Sequence, residues 1–321
     1  MAINTAIIGL GIMGQRMVAQ MARHPGYNVS MLWDPAADAC RAAHHIAPDA
    51  TVAATAEEAM AGADLVYLAC PPVPRKAYAL AAAAQGSAVF LEKPLGVDIE
   101  ESRDLARRLA ASGVPAAVNF TQAAGAALQS TLGAAQSNAL GALAGVDIVV
   151  TYASWPRAWQ AGADWLRFRD EGGMTREVIS HFLFFSERVL GPLELVWAQT
   201  DFPADEALCE THVAARLVNA EGVPVTVMGS VGGAQPDRQE LTIKGSKSSH
   251  RISEFYRESI STGGDFVPVR PDPEDPRTTS LGAQLDELAL LINGQPSRLA
   301  TVPEALRVQI LIERILTGGR T

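Results

Sequence analysis

Apolar and polar positions change rhythm along this chain, and the change divides it in two. Through the first 120 residues, short runs rich in Val, Ile, Leu and Ala alternate with stretches whose apolar residues recur every three or four positions. The short runs predict strands at 5–8, 28–33, 65–69, 88–91 and 116–119. Met13, Met17, Val18 and Met21 mark one face of a helix after the first strand. Thr55 and Glu58 read as a capping box opening another helix, and Gly86 and Gly113 stand where helices should stop. Such alternation predicts a doubly wound parallel sheet with crossover helices, an α/β domain.

After Asn119 the regular alternation ends. An Ala-rich helical stretch leads to a strand at 146–152, and strand-like runs then follow one another at 194–199, 212–219, 223–231 and 240–244. Consecutive runs favour an open, mainly antiparallel sheet, making this part α+β. The Pro- and Asp-rich segment 263–280 reads as an exposed loop, and 302–316 as a closing amphipathic helix. The expected division is an α/β domain over 1–121 and an α+β domain over 122–321, the last helix being free to pack back on the first domain. A chain of 321 residues fits two domains at about 100–200 residues each.

The chain is 48% hydrophobic and 19% charged, and no apolar run approaches the roughly 18 residues of a membrane span. Its start lacks the basic and apolar segments of a secretory signal. Cys40, Cys70 and Cys209 are odd in number and far apart, without the close pairs of a zinc site or a disulfide framework, so no metal is expected and reduced thiols in a cytoplasm fit. A net charge of −9 works against nucleic acid as a partner, because that affinity comes from Lys and Arg neutralising phosphates.

Gly9-Leu10-Gly11-Ile12-Met13-Gly14 lies between the first strand and the first helix, the setting a G-x-G-x-x-G match requires. Gly9 permits the tight turn, Gly11 lets backbone approach a pyrophosphate, and Gly14 allows close helix–strand packing, with helix N–H groups facing the phosphates. Asp34 ends the second strand, 20 residues beyond Gly14, where a carboxylate accepts ribose hydroxyls and repels a 2′-phosphate. No Arg or Lys follows it in Pro35-Ala36-Ala37, so NAD is favoured over NADP. The plainer alternative makes the glycines a simple turn and Asp34 a helix cap. Cys70-Pro71-Pro72 and Glu92-Lys93-Pro94 follow two further strands and should emerge at the same carboxyl edge, the former as cofactor-contacting backbone or merely a proline turn. Lys93, one of only four lysines, is stiffened by Pro94 and could hold a substrate hydroxyl or share in moving its proton. A simple salt bridge with Glu92 is the alternative.

At these residues the chain resembles the glucose–fructose oxidoreductase and inositol dehydrogenase family, often called Gfo/Idh/MocA. The resemblance rests on Gly9–Gly14, the spacing from Pro71 to Gly86, Glu92-Lys93-Pro94, the Leu140-Gly141 strand lead-in, Gly172-Gly173 with His181, and the closing helix from Pro303. It implies a Rossmann domain, an open sheet that covers the nicotinamide and often joins subunits, and hydride transfer involving sugars, polyols or related compounds. The family usually carries Asp and Gly where this chain has Glu177 and Ile179, and a His where it has Arg75.

Glu177 and His181, four apart, should share a helical face, with Thr175 as N-cap and Gly172-Gly173 as a flexible lead-in. His181 would then be the general acid/base, Glu177 its orienting carboxylate and Lys93 the group that polarises the reacting oxygen. Tyr152, Trp155, Trp159 and Trp165 cluster in sequence with Arg157, Arg167 and Arg169, and Arg176 follows in the His181 segment. Of these, Trp159, Trp165 and Arg176 join Lys93 and His181 as candidate substrate contacts, against the alternative of a packing surface. The reading is an NAD-linked oxidoreductase of a secondary alcohol or carbonyl on a polyol or sugar, acting as a homodimer or homotetramer. Reduction of an imine or an acidic, ring-containing carbonyl compound, or a non-catalytic NAD sensor, are the alternatives.

Overall fold

A computed structural model of the chain describes residues 2–271 and 273–319. Two compact units emerge, Met1–Phe120 with Leu281–Leu306, and Thr121–Ser280 with Arg307–Thr321.

In the first unit β1 (Ile3–Ile8), α1 (Ile12–Arg23), β2 (Tyr27–Trp33), α2 (Ala37–Ile46), β3 (Thr51–Val52), α3 (Ala56–Met60), β4 (Leu65–Leu68), α4 (Pro72–Ala84), β5 (Ala88–Glu92), α5 (Ile99–Ser112) and β6 (Ala116–Asn119) follow in turn. All strands are parallel, in the order β3-β2-β1-β4-β5-β6, the doubly wound dinucleotide-binding topology. Every residue of β4 and β5 is buried, as strands covered on both faces require, which is why they read as unbroken apolar runs. Thr55 accepts from Glu58 N at 3.1 Å, while the Glu58 carboxylate takes Ala54 N instead of the cap's own N–H. Gly113, with φ 72°, ends α5 in the left-handed conformation that glycine tolerates.

The second unit holds α6 (Ala126–Gln136), β7 (Leu143–Tyr152), α7 (Ser180–Leu190), β8 (Leu193–Asp201), β9 (His212–Asn219), β10 (Pro224–Val231), β11 (Arg238–Gly245), β12 (Ser249–Ser253), β13 (Arg257–Ser261) and β14 (Val267–Pro268). These strands form a sheet ordered β14-β13-β12-β11-β7-β10-β9-β8, antiparallel throughout except for the parallel β7–β10 pair. Val213, Ala215 and Leu217 of β9 alternate inward with Val225 and Val227 of β10. The outward face leaves Trp197 and Met228 more than half exposed.

Two more helices complete the chain, α8 (Pro276–Ile292) and α9 (Val302–Leu316). The segment read as the loop 263–280 instead contains β14 and the start of α8, whose first turn is capped by Asp275 Oδ1 accepting from Arg277 N and Thr278 N. Leu281, Leu285 and Leu288 of α8 join the core of the first unit with Leu10, Met17 and Leu65. Tyr27 Oη also donates to Leu285 O at 2.6 Å. Among the described residues no helix is long and apolar enough to cross a membrane.

Candidate active site

Strand register decides which residues share an edge in the first unit. Ile8 pairs with Trp33 and with Leu68, Leu68 with Leu91, and Glu92 with Asn119, so β1, β2, β4, β5 and β6 end level. Gly9, Asp34, Cys70 and Lys93 therefore leave the sheet along one carboxyl edge, where open α/β sheets bind ligands.

The three motif glycines have different reasons. A Cβ at Gly9 would run into the backbone N of Cys70, and Gly9 also holds φ 90°. One at Gly14 would strike Gly9 O. At Gly11 a Cβ would meet nothing within 4 Å, so no contact of the protein itself demands glycine there. Gly11 is also the N-cap of α1, without a side-chain cap and with no acid in the first turn, so the positive helix end at Ile12 and Met13 is left for an anion. Asp34 accepts Leu10 N at 2.7 Å through Oδ2 and Ala36 N at 2.8 Å through Oδ1. A carboxylate has about four acceptor positions, so lone pairs remain for two ribose hydroxyls. Asp34 is not the cap of α2; Ala36 is, without a side-chain bond. An uncapped helix end, backbone with space before it and an acid oriented by two N–H groups together fit a dinucleotide.

Arg75 was visible in the sequence only as a replacement. In the structure its buried guanidinium ties the ends of two strands: Nη2 donates to Cys70 O at 2.6 Å, and Nη1 to Glu92 O at 2.6 Å and to Pro94 O. The acceptors at 92 and 94 bracket Lys93, which is itself buried, and the Lys93–Pro94 peptide is cis. Glu92 takes part through a buried network: its carboxylate accepts from Tyr67 Oη and from Asn119 Nδ2 at 2.6 Å, and Asn119 Oδ1 accepts from Gln284 Nε2 at 2.5 Å. Burial pushes the Glu92 carboxyl above the ordinary range, against the opposing hydrogen bond from Tyr67. Cys70 is buried and its thiol likewise pushed up by desolvation; Pro71 is exposed, and Pro72 starts α4.

In the second unit the His181 segment departs from the expected helix start. Thr175–Ile179 is a π-helical turn, and Ser180 N reaches back five residues to Thr175 O. Thr175 is not an N-cap: no side chain caps this turn, and Thr175 N instead donates to Glu210 Oε1 at 2.6 Å. Gly172-Gly173 is not a flexible lead-in either. A Cβ at Gly172 would strike Leu166 backbone and one at Gly173 the Glu210 carboxylate, so both glycines serve close approach. Glu210 is buried, and desolvation raises its carboxyl above the usual value despite the bonds from Thr175.

Arg176 is held by a buried carboxylate rather than facing outward. It forms a bidentate pair with Glu313, both bonds 2.8 Å, and donates to Arg169 O at 2.7 Å and Gly172 O at 3.0 Å. The His181 ring is buried and meets Phe255 edge-on, centroids 5.4 Å apart, while Phe255 stacks on Phe182 at 5.3 Å. Phe255 sits at the β12–β13 turn with φ 69°, an uncommon conformation for a bulky residue, and Gln122 Nε2 donates to its carbonyl at 3.2 Å. Glu177 accepts from Gln160 Nε2 at 3.2 Å and lies 3.7 Å from Arg157 Nη2. Arg157 in turn stacks near Tyr152, Trp155 and Trp159. Arg167 and Arg169 go to Phe168 and Phe202 instead, and Trp165 is half-buried in the short turn Asp164–Arg167.

Strand order, glycine turn and acid define the first unit as a dinucleotide-binding Rossmann domain. Residues 3–120 match the GFO_IDH_MocA family, described as an oxidoreductase family with an NAD-binding Rossmann fold. This segment is similar to the NAD-binding domain of that family. Solved structures share the fold over the whole chain. The WlbA dehydrogenase of Bordetella pertussis, determined with NADH and UDP-GlcNAcA, is 21% identical with a TM-score of 0.84, over 99% of this chain and 96% of that one. An oxidoreductase of Agrobacterium radiobacter, determined with NAD+, L-tartaric acid and magnesium, is 16% identical with a TM-score of 0.85, over 100% and 98%. A levoglucosan dehydrogenase in complex with NADH and levoglucosan is 14% identical with a TM-score of 0.84, over 99% and 97%. At these identities the likeness is one of fold. No curated protein sequence matches the chain.

Proposed function

We propose that this protein is an NAD-dependent dehydrogenase acting on a secondary alcohol or carbonyl of a polyol, sugar or sugar-derived compound. The observation that carries the reading is the level carboxyl edge on which the glycine turn, Asp34 and Lys93 all lie. Similar folds determined with NADH beside levoglucosan or UDP-GlcNAcA support the substrate class.

The segment Gly9, Gly11, Ile12, Met13 and Gly14 holds the pyrophosphate, Asp34 the adenosine ribose, and backbone at Cys70, Pro71, Pro72 and Glu92 flanks the remainder. Bound NAD supplies the hydride acceptor, and NADH the donor. Lys93 binds and polarises the reacting oxygen, and His181 exchanges its proton. In this reading Glu177, which accepts from Gln160, is the carboxylate that would accept an N–H of the imidazole and fix its tautomer. Trp159 and Trp165 contribute ring surface toward the substrate. Arg176, engaged by Glu313, positions the His181 segment rather than binding substrate. With three unpaired cysteines, the protein works in a cytoplasm.

The test is a kinetic screen of polyols, sugars and sugar acids with both dinucleotides. NAD should be preferred by kcat/KM, and Asp34→Ser should erode that preference; a wild type that clearly prefers NADP refutes the ribose assignment. The outward sheet face, with Trp197 and Met228 exposed, joins subunits into a homodimer or homotetramer. Light scattering at the mass of one chain would refute that.

A further inference from the structure

The turn between β12 and β13 carries residues that its backbone disfavours. Tyr256 N donates to Ser253 O at 3.2 Å, closing a turn whose two central residues, Glu254 with φ 49° and Phe255 with φ 69°, are both left-handed. Hairpin turns of that shape favour Asn-Gly, because glycine meets no steric penalty there and asparagine a small one. A glutamate followed by a phenylalanine is strained at both positions. Glu254 is compensated across the turn, its carboxylate accepting from Arg257 Nη1 at 2.5 Å. Phe255 is compensated only through its ring, since the bond its carbonyl accepts from Gln122 Nε2 is open to any residue, glycine included.

That ring is half-buried, so filling the core is not its main use. It stacks on Phe182, centroids 5.3 Å apart and planes 15° from parallel, and Phe182 is wholly buried. From this footing it meets the His181 imidazole at 82°, centroids 5.4 Å apart. Phe182 fixes Phe255, and Phe255 borders the imidazole. The outer side-chain torsion of histidine is broad, so the backbone of α7 by itself leaves the plane of that ring loosely set. Proton exchange needs a ring nitrogen directed at the reacting oxygen, and a misplacement of about 1 Å can cost about a hundredfold in rate.

We infer that Phe255 is a positioning residue for His181: stacked on Phe182, its ring holds the imidazole plane in the orientation for proton exchange, and the strained turn is retained for that contact. Strain of this kind persists where the surrounding structure over-determines it, and two rings of α7 do so here. The inference rests on the dehydrogenase reading, which makes His181 the proton-exchanging group, and adds to it a residue that touches no reacting atom.

Three variants separate the contact from the fold. Phe255→Tyr keeps the ring, Phe255→Leu keeps apolar bulk without it, and the double variant Glu254→Asn with Phe255→Gly gives the turn its favoured pair and removes the ring. Each is assayed with NAD and whichever of myo-inositol, D-glucose and D-glucuronate the wild type turns over fastest. Each is also labelled with 13C-histidine for relaxation of the His181 Cδ2–H bond, the signal being identified by its loss in His181→Asn. Phe255→Leu and the double variant should lower kcat at least about tenfold with KM within about threefold, the pattern of an interaction realised in the transition state. The His181 order parameter should fall from about 0.85 to about 0.6 or below. Phe255→Tyr should match the wild type in both readings, and the double variant should keep a urea midpoint close to wild type because the relieved turn offsets the lost stacking. An order parameter that is already low in the wild type or unmoved in Phe255→Leu, or kcat kept in both variants without the ring, would overturn the positioning role. A midpoint that falls sharply in the double variant would also overturn it, by showing the ring retained for stability. If no compound is turned over, the dehydrogenase reading fails, and the order parameter alone decides whether Phe255 holds the imidazole.

Discussion

Replacing Arg75 by Met should loosen the strand ends that carry Lys93. The side chain is buried, and its guanidinium is the donor to three main-chain carbonyls, those of Cys70, Glu92 and Pro94. A buried acceptor left without its donor costs about 1–3 kcal/mol, and charged donors lie at the upper end of the scale. Against that, the wild type bears the desolvation of a guanidinium whose Nε has no hydrogen-bond partner, a cost that Met removes. Setting three lost bonds against this relief leaves a net loss of about 3 kcal/mol, equivalent to a roughly hundredfold rise in local opening. Native-state hydrogen exchange of peptides covering β4 and β5 reads this directly. An Arg75→Lys variant keeps the charge but lacks the fork that spans both strand ends, so it should recover only part of the protection. Exchange in Arg75→Met within about threefold of wild type would refute the idea that this guanidinium holds the edge.

Lys93→Ala and His181→Ala should each lower kcat by about 10²-fold or more, with NADH still bound by fluorescence titration, and Glu177→Gln should cost less because it orients rather than transfers. Near-normal turnover in both alanine variants would remove the proton-handling assignment. Glu210→Gln should alter the pH dependence of stability. Because burial raises the folded carboxyl, its contribution is fully present below the ordinary carboxylate pKa and is lost as pH rises through the folded value. Urea midpoints should therefore shift in favour of the variant as pH rises above the ordinary carboxylate value of about 4, and a constant difference would contradict this.

The first unit was readable because its strands are covered on both faces: Leu65–Leu68 and Ala88–Glu92 appear as apolar runs bounded by turn residues. Thr51–Val52 escaped notice since two exposed residues show no period. In the second unit Ser249–Ser253 and Arg257–Ser261 escaped for a different reason. Their inward positions include His250 and Glu258, a buried pair 3.0 Å apart, which in sequence looks like solvent-facing polarity. With those strands went Phe255, whose place on the His181 ring depends on a hairpin and a positive φ that no local pattern announced.

The same distinction explains the site. Chemistry confined to one stretch of chain was legible: the glycine turn, Asp34, and the Glu92-Lys93-Pro94 exit each need only their own neighbours to be recognised. What supports them comes from far along the chain. Glu313 claims Arg176 across 137 positions, Glu210 fills the space kept open by Gly173 from just before β9, and Arg75 reaches Pro94 from the helix before β5. A charged residue reads the same in sequence whether it faces substrate or ends in a buried fork. Arg176 shows the consequence: beside the His181 motif in sequence, it ends in a bidentate pair with Glu313. Which arginines of this chain are held by its own carboxylates is therefore decided by tertiary partners rather than by proximity to the motif.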